Sequence, residues 1–271
     1  MTTLHLKFRS NFPLDTESIT PDQFKDKPVS EIARLPALLG NQAGALGDFF
    51  TIMDDSSPVI TLEGDLGRVK HIGAGMTEGK IVIHGNAGMH LGAGMRGGEI
   101  TVHGDTGDWA GAEMTGGKIH ITGNAGHGLG GAYRGSRHGM NRGLILVEGN
   151  AGNETGALMR RGLIVVLGNV ADFAGAFMLA GTILVFGKLG ARTGAGMKYG
   201  TIVTFHQPEL LATFHYDCVY RPGFLSLLFK SLRSQGLPVE AGWAAGSFRR
   251  YSGDFNTLGK GEVLVYAQDE R

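Results

Sequence analysis

Short runs of alternating apolar and polar residues recur along the middle of the chain. Each run places one aliphatic residue four positions before a glycine and a second one two positions before it. Residues two apart face the same side of a β-strand, so both columns are predicted to face a core. The first column is Ile60, Ile81, Ile100, Ile119, Ile145, Ile164 and Ile183, and the second is Leu62, Ile83, Val102, Ile121, Val147, Val166 and Val185.

The glycines that follow these runs recur with a period of nineteen residues, at spacings of 21, 19, 19, 26, 19 and 19. An Asn or Asp follows most of them, and a Gly-Ala-x-Met box comes later in most repeats. A fixed period of this length indicates a solenoid, and 46 glycines would each cost about 1 kcal/mol inside helices. The pattern predicts an all-β fold, a right-handed parallel β-helix of about seven rungs over residues 58–205. The anchor glycines are Gly64, Gly85, Gly104, Gly123, Gly149, Gly168 and Gly187.

Small α/β caps are predicted at both ends of this solenoid, because exposed strand edges need cover. In the N-terminal cap, residues 1–57, Thr20-Pro21-Asp22-Gln23 is typical of a helix start, and Gly40-Asn41 resembles a degenerate first rung. In the C-terminal cap, residues 206–271, one helix is predicted from Pro222 to Gly236. The apolar stripe of that helix is Leu225, Leu228, Phe229 and Leu232.

The outer face of the later repeats turns apolar, at Leu146, Val165, Leu167, Leu184 and Phe186. An apolar outer face must be covered, either by the predicted C-terminal helix or by another subunit. The sequence pattern alone does not distinguish between the C-terminal helix and another subunit.

The amino-acid composition restricts the classes of binding partner and the cellular compartment that we expect. A net charge of zero gives no support for binding to nucleic acid or to an anionic membrane. Cys218 is the one cysteine, which excludes an intramolecular disulfide and fits a reducing cytosol. With no apolar leader or membrane-spanning run, the chain is expected in the cytoplasm.

Few side chains form a chemical motif. The glycine clusters match dinucleotide-binding loops superficially, but they recur in every repeat and are interpreted as structural turns. His84 and His103 share one outward column with Glu63, an arrangement that favours a solvated or partner-facing ladder over a metal site. No metal site and no catalytic residue are predicted.

The strict period is interrupted once, by seven extra residues in the fourth repeat (26 minus 19). Insertions in solenoids loop out on one face, which is often the binding face. Guanidinium groups bind carboxylates and phosphates bidentately, so the insertion is predicted to bind an anion; the alternative is a charged loop without a ligand. The predicted binding residues are Arg134, Arg137, His138 and Arg142.

The repeated Gly-Asn/Asp-x-Gly and Gly-Ala-x-Met elements, the segment Leu46-Gly47-Asp48-Phe49-Phe50 and the tail Arg249-Arg250-Tyr251-Ser252-Gly253-Asp254 together resemble the C subunit of formylmethanofuran dehydrogenase. The glycine repeats alone are similar to the C-terminal β-helix of the glutamate synthase large subunit. The flanking segments favour the dehydrogenase family, and the resemblance spans nearly the whole chain.

This resemblance implies a non-catalytic scaffold in a one-carbon complex that transfers formyl groups from tetrahydromethanopterin to a methanofuran-type carrier and hydrolyses them to formate. It implies an amidohydrolase-type subunit, a formyltransferase subunit and a pterin-binding-like subunit as partners, with no cofactor bound by this chain itself. It also implies a glutamate-rich tail on the carrier, for which the arginine-rich insertion is the first candidate site.

Two alternatives stay open. One is the C subunit of an archaeal molybdenum or tungsten formylmethanofuran dehydrogenase; the excess of arginine over lysine and the absence of Lys/Glu enrichment favour the bacterial complex, the formyltransferase/hydrolase complex of methylotrophs. The other is a stand-alone β-helix enzyme such as a polysaccharide lyase, which would need a cluster of carboxylates and basic residues on one outer face.

Overall fold

The computed structural model describes residues 2–54 and 59–267, which fold as seventeen short strands with few helices. The predicted all-β class is confirmed. The strands are β1 (Thr2–Leu6), β2 (Leu14–Asp15), β3 (Pro36–Leu39), β4 (Gln42–Ala45), β5 (Phe50–Asp54), β6 (Val59–Glu63), β7 (Val69–Lys70), β8 (Lys80–His84), β9 (Glu99–His103), β10 (Lys118–Ile121), β11 (Asn141–Val147), β12 (Arg161–Val166), β13 (Thr182–Val185), β14 (Thr201–Thr204), β15 (His215–Tyr220), β16 (Ser247–Gly253) and β17 (Gly261–Ala267).

The helices are short and lie in the flanking segments. They are α1 (Pro21–Phe24), α2 (Val29–Ile32), α3 (Leu46–Phe49), α4 (Gly223–Ser234) and one 3-10 turn at Ala241–Ala245. Within the described ranges, no helix combines the length and apolar character that a bilayer crossing needs.

One large mixed sheet organises the molecule, with thirteen strands in the order β15-β16-β17-β14-β13-β12-β11-β10-β9-β8-β6-β1-β5. The strands from β6 through β14 in this order pair in parallel, whereas β5, β15 and β16 join antiparallel. A second sheet of four strands, in the order β4-β3-β2-β7, lies in the N-terminal part.

The predicted inward columns are confirmed. The parallel registers place Ile81 beside Ile100 and Ile100 beside Ile119, and the same column continues through every repeat. These three isoleucines are fully buried, as are Ile83, Val102 and Ile121 in the second column. A second parallel ladder of single bridges links Leu66, Ala87, Thr106, Ala125, Ala151, Val170 and Leu189 at the following corner of each repeat.

The Asn or Asp after five of the anchor glycines does more than tolerate a bend, because its side chain bonds the neighbouring repeat. The Oδ1 atom of Asn124 accepts the backbone N–H of Asn150 at 2.9 Å, and Asn150 accepts that of Asn169 at 2.8 Å. Each side chain thereby bonds a backbone donor of the next repeat. We call this column the asparagine ladder; its acceptors are Asn86, Asp105, Asn124, Asn150 and Asn169.

Close stacking explains why glycine also recurs after the methionine box. A Cβ at Gly97 would lie 2.0 Å from the carbonyl oxygen of Thr77, and one at Gly116 would lie 2.1 Å from that of Arg96. Backbone contacts this tight leave no room for a side chain. The methionine of each box is buried; Met95 and Met114 have no exposed surface.

The flanking segments confirm two predictions and correct one. Thr20 caps α1 by accepting the N–H of Gln23, as its sequence predicts, and α4 begins directly after Pro222. The interpretation of Gly40-Asn41 as a degenerate rung is wrong, because β3 and β4 pair antiparallel on either side of it. A Gly-Asn pair suits a tight hairpin turn as well as a solenoid corner, and here the hairpin forms.

The apolar outer face of the later repeats is covered by the chain's own C-terminal segment. Phe229 and Leu232 of α4 are fully buried in a second core together with Val165 and Leu184. Phe248 of β16 completes the same core. Of the two covers that the sequence left open, self-packing is therefore the one observed.

Candidate functional site

The seven-residue insertion splits one Gly-Ala-x-Met box. Methionine follows the first glycine of the box by three residues elsewhere, as from Gly111 to Met114, but by ten from Gly130 to Met140 (10 minus 3). Met140 is fully buried and returns the chain to the ladder, since its N–H donates to Gly130. The insertion therefore leaves the repeat at one corner and rejoins it at the same corner.

Of the predicted anion-binding residues, Arg134, Arg137, His138 and Arg142 are all exposed. The loop folds over a polar cleft of about 390 Å³. His138 lines this cleft, but the three arginines do not. The cleft is lined by Glu113, Thr115, Ser136, His138, Gly139, Asn141 and Arg160.

Arg160 is the cleft residue that sequence reasoning missed. Its Nε atom is buried and has no hydrogen-bond partner within residues 2–54 and 59–267. A buried guanidinium N–H without a protein acceptor favours an anionic ligand, because leaving it unpaired costs about 1–3 kcal/mol. The available signal was the pair Arg160-Arg161 directly after Met159, one repeat beyond the insertion.

Glu113 connects the cleft to the start of the insertion. It is the one carboxylate that lines the cleft, and its Oε1 accepts the backbone N–H of Tyr133 at 3.2 Å. The cleft thus holds one fixed negative charge beside the Arg160 guanidinium and the His138 ring. The Arg160 guanidinium in this arrangement can donate hydrogen bonds to an anion.

Next to the loop, planar side chains stack in a column that we call the aromatic column, formed by His71, His90 and Trp109. Ring centroids are 4.6 Å apart between the two histidines and 5.5 Å apart between His90 and Trp109, both pairs nearly parallel. All three residues have a left-handed φ near 60°, so the same strained corner presents each ring in the same direction. The Tyr133 hydroxyl lies 2.9 Å from His90 Nδ1 and closes the column.

Burial shifts the pKa values of His90 and Tyr133. It lowers the pKa of His90 below 6.5, and the neighbouring His71 and Lys70 lower it further. Burial likewise raises the pKa of Tyr133 to about 12, with Glu113 and Glu17 adding to the shift. Both groups are therefore neutral at pH 7.

The ladder of His84 and His103 has the predicted proximity, with stacked rings 5.3 Å apart, and Glu63 lies beside His84 on the adjacent strand. His5 extends the line, since its Nδ1 atom lies 3.0 Å from the Oε2 atom of Glu63. These residues occupy successive parallel strands, so they form a line across the sheet. Their ligand atoms do not converge on a single point.

Comparisons with known proteins place the repeat in a family. The model of the GXGXG motif matches residues 84–216. The C subunit of the molybdenum-containing formylmethanofuran dehydrogenase 1 of Methanothermobacter marburgensis is 42% identical over 79 residues, 28% of this chain and 20% of that protein. The C subunit of the tungsten-containing enzyme 2 of Methanothermobacter wolfeii is 38% identical over 88 residues, 31% of this chain and 33% of that protein. The matched segment of this chain thus covers only a fifth to a third of the length of these curated relatives.

A solved structure matches the whole chain. It is the X-ray structure of the formyltransferase/hydrolase complex FhcABCD from Methylorubrum extorquens in complex with methylofuran. One of its chains superposes with a TM-score of 0.91 at 37% identity, covering 98% of this chain and 100% of that chain. Over residues 84–216 this protein matches the GXGXG motif, over part of its length it is similar to C subunits of formylmethanofuran dehydrogenase, and it therefore belongs to the same family as that chain of the formyltransferase/hydrolase complex.

Proposed function

We propose that this chain is a non-catalytic scaffold subunit of a one-carbon complex that handles formyl groups on a methylofuran- or methanofuran-type carrier. The observation that carries this proposal is the end-to-end correspondence with a chain of FhcABCD, at a TM-score of 0.91. The polar side chains of the repeats support it, because many of them hold the backbone together. The asparagine ladder is the main example, with each acceptor bonded to the next repeat.

The proposed architecture is a right-handed parallel β-helix of about seven rungs over residues 58–205, between an N-terminal cap (1–57) and a C-terminal cap (206–271). Its support is the parallel pairing of successive repeats at two separate positions. One is the strand ladder through Ile81 and Ile100, and the other is the bridge ladder through Ala87 and Thr106. Such a stack is rigid and presents long side surfaces, which suits a part that bridges other subunits.

The partners we propose are an amidohydrolase-type subunit, a formyltransferase subunit and a pterin-binding-like subunit of one cytoplasmic complex. The complex would pass the formyl group from tetrahydromethanopterin to the furan carrier and hydrolyse it to formate. This chain would hold no cofactor that takes part in the formyl-transfer or hydrolysis reaction. The archaeal molybdenum or tungsten dehydrogenase is the second candidate, supported by the curated relatives, although each matches only about a third of this chain or less.

For the inserted loop, we extend the predicted anion site to include Arg160. The acidic part of the carrier would enter the cleft and accept hydrogen bonds from Arg160 and His138, while the exposed arginines Arg134, Arg137 and Arg142 attract it from outside. Exposed cations act through long-range attraction, which salt screens, whereas the half-buried guanidinium of Arg160, with its buried Nε atom, acts through direct hydrogen bonds.

Purification of the tagged chain from its native host tests the assignment. We expect a formyltransferase subunit and an amidohydrolase-type subunit to co-purify, as identified by mass spectrometry. Recovery of a molybdopterin subunit instead would support the archaeal alternative. A chain that purifies without these partners, and shows turnover by itself, would contradict the scaffold proposal.

Retention of carrier in the purified complex tests the site separately. Arg160→Gln is expected to lower the amount of bound carrier about tenfold or more, because a charged hydrogen bond contributes about 1.5–3 kcal/mol. The triple change of Arg134, Arg137 and Arg142 to Ala should lower it in a salt-dependent way. A matched control removes three exposed positive charges elsewhere, at Arg34, Lys230 and Arg233. Equal retention in the control and in the loop variants would refute the site while leaving the scaffold role intact.

A further inference from the structure

Three metal-type ligands converge at the N-terminal side of the aromatic column. Their donor atoms, on Asp15, Glu17 and His71, all lie within 4.8 Å of one another. Zinc bonds to nitrogen and oxygen measure about 2.0–2.2 Å, so two ligands of one ion lie at most about 4.4 Å apart. Small side-chain movements would therefore bring all three onto a single ion.

Backbone pairing fixes two of these residues relative to each other. Asp15 lies beside Lys70 in the parallel pair of β2 and β7, and His71 follows directly. The backbone N–H and the hydroxyl of Thr16 both donate to the carbonyl of Lys70, at 3.0 and 2.9 Å, which holds the segment in this register. His71 Nδ1 lies 2.9 Å from each carboxylate oxygen of Asp15.

The His71 ring is held in place from its other side. Its φ of 62° is left-handed, and the ring stacks on His90 at 4.6 Å. A ligand whose orientation is set by packing loses little freedom when a metal binds. The remaining ligand, Glu17, is exposed and has no hydrogen bond or ion pair to any other residue in the described ranges.

The local charge favours a cation. Asp15 and Glu17 supply two carboxylates, against one ammonium, that of Lys70, whose Nζ lies 3.5 Å from Asp15 Oδ2. The Lys70 side chain is 25% exposed and can turn towards solvent. One imidazole and two carboxylates form a donor set that suits zinc and similar divalent ions.

We propose that Asp15, Glu17 and His71 bind one divalent transition-metal ion of the zinc class. The ion fastens the N-terminal segment at 15–17 to the corner of the first repeat. This corner connects to the start of the inserted loop in two steps. The His71 ring stacks on the His90 ring, and His90 Nδ1 is hydrogen-bonded to the Tyr133 hydroxyl at 2.9 Å.

Calorimetric titration of the chelator-stripped full chain with zinc chloride tests the proposal. We expect one zinc ion per chain, and an affinity at least about tenfold weaker in Glu17→Gln. Saturating zinc should raise the melting temperature of the unmodified chain and have little effect on that of Glu17→Gln. Because the Glu17 side chain is exposed and forms no hydrogen bond or ion pair within the described ranges, we expect this substitution to leave the fold unchanged and to isolate metal binding.

Two controls separate this site from other surface ligands. Glu209→Gln removes the same charge at another exposed acid and should bind zinc as the unmodified chain does. The double change of His84 and His103 to Gln should likewise keep the high-affinity ion. The proposal is overturned if the chain binds no zinc, if Glu17→Gln binds it unchanged, or if the His84/His103 variant loses it.

Discussion

Replacing Phe229 of α4 by Ala should weaken the packing of the C-terminal segment against the apolar outer face of the later repeats. Phe229 is fully buried, and its ring centroid lies 6.2 Å from that of Phe205 and 6.4 Å from that of Trp243. Phe→Ala changes at such positions cost about 3–5 kcal/mol, because the transfer energy of the ring is lost and a cavity remains. Leu227 lies on the same helix but is 72% exposed, so Leu227→Ala should change the free energy of unfolding by no more than about 0.5 kcal/mol.

Urea unfolding followed by tryptophan fluorescence measures this difference. The chain has two tryptophans, and Trp243 is partly buried and packs against the core that contains Phe229. In a Trp109→Phe background, the signal therefore reports on the second core alone. Size-exclusion chromatography should also show self-association of Phe229→Ala, since the uncovered strands expose apolar surface. If Phe229→Ala and Leu227→Ala unfold at the same urea concentration, the described packing of α4 is wrong.

Three further predictions concern a hydrogen bond from one repeat to the next, the aromatic column and the glycine contacts. His127 Nδ1 accepts the backbone N–H of Asn153 at 2.9 Å, so His127→Ala should cost about 1 kcal/mol in urea unfolding while His127→Asn, which keeps an acceptor, should cost little. Burial and neighbouring positive charge lower the pKa of His90, so the unfolded chain binds a proton that the folded chain excludes; stability should fall as pH drops below 6.5, and less steeply in His90→Gln. Gly97→Ala should lower the melting temperature by an amount equivalent to about 1–3 kcal/mol, whereas Gly223→Ala, with no atom within 4 Å of the added Cβ, should leave it unchanged or raise it.

The repeat could be predicted from sequence because two independent periods coincide there. The alternation of apolar and polar residues identifies the side of each strand that faces the core. The period of nineteen residues places those sides next to one another in successive repeats, so Ile81, Ile100 and Ile119 stack as expected. The C-terminal helix was predictable for a similar reason, since its apolar stripe has a helical spacing.

The pairing of strands that are far apart in the sequence is not marked by any periodic pattern of residues. β1 joins the large sheet beside β6, and β17 joins it beside β14, although neither strand belongs to the glycine repeat. The hairpin at Gly40-Asn41 was misassigned because one dipeptide suits two kinds of turn. In both cases the outcome depends on which surface is left uncovered, and that is a property of the assembled fold.

The cleft at the inserted loop likewise contains side chains whose proximity could not be predicted from the sequence. The insertion and its charge were visible in the sequence, and His138 does line the cleft. Arg160 comes from the following repeat, and only stacking brings it under the loop. Asp15 and His71 are likewise 56 residues apart and meet through the pairing of two very short strands.

The corner between Gly130 and Met140 has a consequence for how such a molecule diversifies. The strands on either side keep their alignment, with Ile119 opposite Ile145, although seven additional residues intervene. Sequence can therefore lengthen at this point without disturbing the neighbouring coils. A change in the length or the sequence of this one segment therefore leaves the stacked framework on either side of it intact.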